Sequence, residues 1–446
     1  MSTQEKRKSR IYRTFSDYGM LAILLLLCLL FSIMTIREQH PVGARAAEKL
    51  LGQLQENPLT GAILIIAQPN DQDKAFAEAL TGSFQGRLAT FSIHGDPAAI
   101  RNALISMQDT TSNIAAVITT ESYAPSVSSI IAQFPSLAQA RVITPPSYRW
   151  PTFLLADNLR NVANQIAVIA IIAIGMTMVI ITAGIDLSVG SLIALAAVVT
   201  AWLIGAWGGT SASGTGMFAA GLVAMALCGL TGAFSGLMIT RFKVPPFIAT
   251  LAIMQVAAGI AYIISQGKPI YQLPDSFIGL GRGADPLLKI PYAVILMLVL
   301  YWAAHFLMTR TTLGRYIYAV GGNSEAARLA GIRINGVLFF VYTLCGVLAG
   351  LGGVVMASQL KSGAPTYGLT YELYVIAAVV VGGTSLSGGE GRILGTLIGA
   401  FIIAVIQNGM NLTNVETYTQ KVVLGLVILV AVLLDRIKQR RLARVK

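Results

Sequence analysis

Long apolar runs broken by short polar stretches dominate this chain. Gly19 to Ile36 is the first, and others begin near Ala167, Leu187, Met217, Phe247, Tyr292, Val337, Tyr371, Ile393 and Val422. Such runs repeatedly reach the ~20 residues that a spanning helix needs, so the pattern predicts an all-α polytopic membrane protein with about ten transmembrane helices. No small-residue cleavage site follows the first run, and it reads as an anchor that stays. From 37 to 157 nothing is long enough to span, and the period changes. Ala62–Ala67, Leu88–Ile93, Ile114–Thr119 and Arg141–Thr144 read as strands. Helical stretches separate them, one opened by Asp96 as cap and Pro97 at the first helical position. Strands alternating with helices imply a parallel sheet, so this segment is expected to be a small α/β, Rossmann-like insert.

Charge placement gives the orientation. With 55% hydrophobic and 12% charged residues, the +12 net charge invites a nucleic-acid partner, but its distribution excludes one. Lys6, Arg7, Lys8, Arg10 and Arg13 crowd the N-terminus, and Arg436, Lys438, Arg440, Arg441, Arg444 and Lys446 the C-terminus. Arg241 and Lys243, then Arg310, Arg315, Arg328 and Arg333, fill two loops between spans. This is the positive-inside pattern, which puts both termini and those loops in the cytoplasm and the insert outside. The chain then divides into a cytoplasmic basic tail (1–18), a first helix (19–36), the extracytoplasmic insert (37–157), a helical domain (158–434) containing the polar loop 310–336, and a second basic tail (435–446). Cys28, Cys228 and Cys345 all lie in apolar runs and His40, His94 and His305 are scattered, so neither a disulfide framework nor a metal site is expected.

The loop 310–336 is the largest polar piece between the later spans. It carries a short helix, with Asn323 or Ser324 as cap, Glu325 in the first turn, Arg328 near the last, and Gly331 as left-handed exit. Ala326, Leu329 and Ala330 form its apolar face. On local chemistry it is either a solvated connector or a knob for a cytoplasmic partner. Between the second and third runs, GIDLSVGS contains Gly184 as a helix stop, and Asp186 accepting from the next helix's first amides with help from Ser188. Leu386 to Glu390 reads LSGGE, but no phosphate-binding G-x-x-x-x-G-K-[ST] loop exists, so Gly388 and Gly389 are assigned to a tight turn. No nucleophile, histidine and acid constellation is present, and no catalytic machinery is expected. Gln255, Glu372, Gln407 and Asn408 are polar positions within spans, fit either to contact solute or to bond neighbouring helices. Glycine pairs at four-residue spacing, 232/236, 346/350 and 395/399, mark close helix packing.

The segments GMTMVIITAGIDLSVGSLIAL (175–195), PPFIATL (245–251), LGRYIYAVGGNSEAARLAGI (313–332), YELYVIAAVVVGGTSLSGGEGRILGTLIGA (371–400) and QNGMNL (407–412) resemble the permease subunit of ribose-type monosaccharide ABC importers. The resemblance implies an inner-membrane subunit that moves a monosaccharide. It pairs with a second permease copy, with ATPase subunits that bind the ATP and Mg, and with a periplasmic sugar-binding protein. It favours the coupling reading of the loop, with Gly322, Asn323, Glu325, Arg328 and Gly331 as contacts. The insert departs from the family pattern, and its element order resembles the first part of the N-terminal lobe of sugar-binding periplasmic proteins. The alternative function is an ion- or proton-coupled secondary sugar transporter that works without an ATPase, for which Asp186 and Glu372 are sparse.

Overall fold

The computed structural model describes residues 3–56, 59, 61–85, 88–107, 114–137 and 139–443. Of the flanking basic residues, Arg444 and Lys446 lie outside the described residues. The chain forms two compact units, Ile36–Thr152 and the remainder.

The first helix, α1 (Thr3–Met34), belongs to the larger unit. The smaller unit follows in the order β1 (Ile36–Gln39), α2 (Ala44–Glu56), β2 (Ala62–Ala67), α3 (Asp71–Phe84), β3 (Thr90–His94), α4 (Pro97–Ser106), β4 (Ile114–Thr119), α5 (Ala124–Ile131), β5 (Arg141–Ile143) and β6 (Tyr148–Pro151). The expected parallel sheet is present, in the order β3-β2-β4-β5. Its strands are apolar on both sides because both faces are covered. Leu64 and Ile66 pack with Ile100, Leu104 and Val127, while Ile63 and Ile65 pack with Leu50, Phe76 and Leu80. Asp96 caps α4 by accepting from the Ala99 N–H at 2.7 Å, with Pro97 at the first helical position. Two features escaped the sequence reading: helix α2, and the antiparallel pair of β1 with β6, which brings Ile36 opposite Pro151.

Among the described residues of the larger unit, seven helices are long and apolar enough to cross a membrane, so the chain is a polytopic helical membrane protein. They are α6 (Ala156–Ile181), α7 (Val189–Ala206), α8 (Gly214–Arg241), α9 (Pro246–Ser265), α11 (Tyr292–Arg310), α14 (Ile334–Leu360) and α16 (Ile393–Leu412). A short turn, α10 (Gly279–Arg282), precedes α11, and α12 (Thr312–Gly322) and α13 (Ser324–Leu329) precede α14. Shorter apolar stretches lie in α1, in α15 (Tyr371–Val381) and in α17 (Thr417–Ala443).

Helix α6 is the axis of the packing, with every residue from Ile166 to Ile181 buried. The glycine pairs act as expected. A side chain at Gly232 or Gly346 would collide with backbone of the facing helix, locking α8 against α14, and Gly395 and Gly399 do the same between α16 and the end of α15.

The eighth run starts at Tyr371 as expected but is short. The segment beginning at Tyr371 is helical for only 11 residues, about 16 Å, which is too short to span. Residues 362–370 precede it in irregular backbone, with Gly363 against Ala197 and Gly368 against Gly190 and Ile193 of α7. Thr370 takes a left-handed φ of 68° where α15 begins. Non-helical backbone among spanning helices is tolerated because it is buried in protein.

Candidate functional site

Helix α13 forms as its caps dictate. The Asn323 side chain accepts from the Ala326 N–H at 2.9 Å, Glu325 and Arg328 form an exposed ion pair at 2.8 Å, and Gly331 exits at φ 83°. Its apolar face differs from expectation. Ala327 is the buried residue and Leu329 is 83% exposed, because so short a helix turns only one side chain inward. Helix α12, formed within the stretch expected as loop, holds it in place. Thr311 caps α12 by accepting from the Gly314 N–H, and Ile317 and Val320 face the core. The Tyr318 hydroxyl donates to the Gly391 carbonyl at 2.8 Å, and burial raises its pKa, which keeps it a donor.

The end of α12 meets two other candidate segments. Gly321 packs against the Ile181 carbonyl at the end of α6 and against Gly389. The Gly389 N–H donates to that same carbonyl at 2.8 Å, and Gly388 lies against Ala183 and the Gly321 carbonyl. Gly388 and Gly389 have φ of 84° and 74°, so the LSGGE stretch is a glycine turn. The helix break at 182–188, the 388–389 turn and the start of the α13 segment are therefore one cluster. A cavity of about 1010 Å³ beside it is lined by Gly322, Asn323, Glu325 and Arg328, and by Thr182, Ala183, Lys243 and Arg333. Gly321 has no assigned role in the sequence pattern, and Lys243 stands there only as a basic residue of a cytoplasmic loop. A Gly-Gly pair ending an amphipathic segment was the available signal for the first.

The break itself corrects two expectations. Ala183, not Gly184, takes the left-handed exit of α6, at φ 60°. Gly184 follows it, donating to the Val179 carbonyl at 3.0 Å, and is small because the Tyr342 ring lies against it. Asp186 does not reach the amides of the first turn of α7. Its Oδ1 accepts from the Ser188 N–H at 2.9 Å and the Ser188 hydroxyl at 2.6 Å, closing a local turn that uses up its capping reach. Asp186 is fully buried, and its Oδ2 and the Tyr342 hydroxyl are without hydrogen-bond partners among the described residues.

The polar positions within the spans separate. Asn408 on α16 exchanges two hydrogen bonds with Asn158 on α6, at 2.9 and 3.0 Å, the helix-bonding reading. Gln255 is exposed on α9, and Gln407 is partly buried on α16. Glu372 stands in the first turn of α15, its carboxylate against the Cα of Gly190. These four are not brought together into one site.

Residues 158–432, more than half of the chain, match the family described as branched-chain amino acid transport system / permease component. The chain belongs to this permease family. The ribose import permease protein of Escherichia coli (strain K12) is 44% identical over 293 residues, 65% of this permease and 88% of that protein. That of Bacillus subtilis (strain 168) is 44% identical over 288 residues, 65% of this chain and 87% of the relative. The D-allose transport system permease protein of Escherichia coli (strain K12) is 38% identical over 286 residues, with 64% and 85% covered. The relationship to ribose-type sugar permeases expected from the motifs holds. No solved structure matches this permease.

Proposed function

We propose that this permease is the translocating subunit of an inner-membrane ABC importer for a monosaccharide of the ribose, allose or arabinose kind. The observation that carries the reading is the similarity to ribose, allose and arabinose permeases across most of the length of each. Cytoplasmic ATPase subunits bind ATP and Mg, a second copy of the chain completes the path, and a sugar-binding protein delivers substrate from outside. About ten segments cross the membrane, the seven long helices, the shorter apolar stretches of α1 and α17, and α15 together with the irregular backbone 362–370 before it, and both termini are cytoplasmic. The insert is extracytoplasmic and serves as structure or docking platform. ATP-driven closure of the ATPase pair pushes on α13 through Asn323, Glu325 and Arg328. The cluster of Gly321 with Ile181 and Gly389 supports this, because a push there reaches the end of α6 and the glycine turn before α16 directly.

Affinity purification from gently solubilised membranes tests the assembly. Co-purification of an ATPase and a sugar-binding protein is the expected result, and a chain that comes out alone and still carries sugar overturns it. The coupling assignment has its own test. Glu325→Lys combined with Gly331→Arg leaves the complex inserted but abolishes substrate-stimulated ATP hydrolysis, and normal stimulation in that variant rejects the role of α13.

A further inference from the structure

The depth of Glu372 in the membrane follows from its neighbours. The Cys228 thiol, at the middle of the 28-residue α8, donates to the Leu192 carbonyl at 3.5 Å, so the first turn of α7 lies level with the centre of α8. Gly190, in that same turn, has the Glu372 carboxylate and the Gly368 carbonyl against its Cα, where any side chain would collide. On the opposite side, Ala378 abuts Gly399 and Gly382 abuts Gly395, so α15 and α16 run antiparallel. That register carries Glu372 toward the middle of the 20-residue α16. Two helices on different sides thus place this carboxylate at mid-membrane.

Its surroundings are not those of a structural ion pair. No salt bridge involves Glu372 among the described residues, and α7, α15 and α16 carry no basic side chain between their first and last residues. Glu372 is partly exposed, and Leu369 and Leu373 beside it are 75% and 49% exposed, so this stretch forms an open surface of the subunit. A carboxylate facing hydrocarbon without a partner is strongly unfavourable, and ionisable residues at such depth face a water-filled path. Two aromatic rings stand on a neighbouring face of α15, because positions one before and two after Glu372 do not face it on a helix. Tyr371 and Tyr374 meet edge to face with centroids 6.0 Å apart, both partly exposed. The left-handed Thr370 and Gly368 turn the chain so that α15 starts here. A carboxylate with no basic partner suits a neutral polyol, whose adjacent hydroxyls donate to the carboxylate oxygens.

We propose that Glu372 forms a hydroxyl-binding contact for the monosaccharide at mid-membrane, facing a water-filled path where the half-length helix α15 begins. The assignment rests on the importer function proposed above and names the chemistry of its path. Gly190 belongs to the same device, since its missing side chain makes room for the carboxylate.

The test uses the assembled importer in vesicles. In a chain with Cys28, Cys228 and Cys345 replaced by alanine, Glu372→Cys is treated with a membrane-impermeant thiol reagent. Reaction is expected, and an unreactive thiol in an importer that still hydrolyses ATP, or one that reacts only with a lipid-phase reagent, overturns the water-facing placement. Uptake of D-ribose, D-allose and L-arabinose is then compared in Glu372→Leu and Glu372→Gln. Glu372→Leu is expected to raise the half-saturating sugar concentration about ten- to hundredfold, as for loss of a hydrogen bond to a charged group. Glu372→Gln, which keeps an acceptor, recovers part of that loss. The two readings fail separately. A wild-type complex that imports none of the three sugars overturns the proposed function, whereas wild-type import with unaltered Glu372→Leu kinetics overturns the subsite alone.

Discussion

Gly321 and Gly331 sit ten residues apart and are glycine for opposite reasons. Gly321 is in ordinary helical backbone, but a Cβ there would run into the Ile181 carbonyl and the Gly389 amide, backbone atoms that cannot swing aside. Gly331 has open space around it and is held at φ 83°, a conformation that disfavours a side chain. Gly321→Ala is therefore expected to destabilise the permease by about 1–3 kcal/mol, the usual range for overpacking, and to lower the midpoint of thermal unfolding in detergent. Gly331→Ala costs about 1–2 kcal/mol, and Gly331→Asn restores much of that because asparagine enters the left-handed region readily. Asparagine should rescue nothing at 321, and equal rescue at the two positions would contradict this division.

Among the elements, the short α10 illustrates how a polar side chain can hold irregular chain in place. The Ser358 hydroxyl, fully buried near the end of α14, donates to the Phe277 carbonyl at 2.6 Å and accepts from the Gly281 N–H at 2.8 Å. Asn164 on α6 adds a bond to the Gly281 carbonyl at 2.8 Å, and the Gln359 amide reaches back to the Asn164 carbonyl. Ser358→Ala leaves a buried amide without its acceptor and is expected to cost about 1–3 kcal/mol. Hydrogen exchange should speed up at 277–282 first, and unchanged protection there would refute the strap. None of this was legible beforehand, because nothing local to Ser358 announces a partner 77 residues away. Legibility followed range throughout. The long spans, the four parallel strands and the caps at Asp96 and Asn323 are encoded in windows of a few residues, by apolar period and side-chain reach. The failures arose where distant chain decided the outcome. Gly184 looked like a helix stop, but Ala183 takes the strained angle, while Gly184 is small because the Tyr342 hydroxyl lies against it. Tyr371 looked like the start of a span and does start a helix, but one of only 11 residues, since α7 offers burial to irregular backbone before it that lipid would not. In the candidate site, the members of the α13 segment were readable one by one, while their meeting with the helix break and the glycine turn depended on backbone contacts that leave no signature in composition.

At the scale of the whole molecule, each unit has its own apolar interior. The unit Ile36–Thr152 covers both faces of its sheet with its own helices, and clusters around Ile66 and Ile65 are complete within it. Produced alone, this segment is expected to fold as a soluble α/β domain with cooperative thermal unfolding, and an unstructured product would show that it depends on the membrane part. The larger unit likewise closes on itself, since the Phe153 N–H donates to the Thr35 hydroxyl at 3.1 Å and Phe31 and Phe153 lie with ring centroids 6.3 Å apart. Replacing 36–152 by a two-residue link should therefore leave membrane insertion and detergent stability close to those of the full chain. The pairing of Ile36 with Pro151 has a consequence of another kind. Because the chain leaves and re-enters through adjacent strands, whatever occupies this position needs only two neighbouring ends, so the locus is a socket. A fluorescent protein, an epitope or a foreign binding domain with adjacent termini could be seated there, making this position a ready handle for engineering a polytopic transporter.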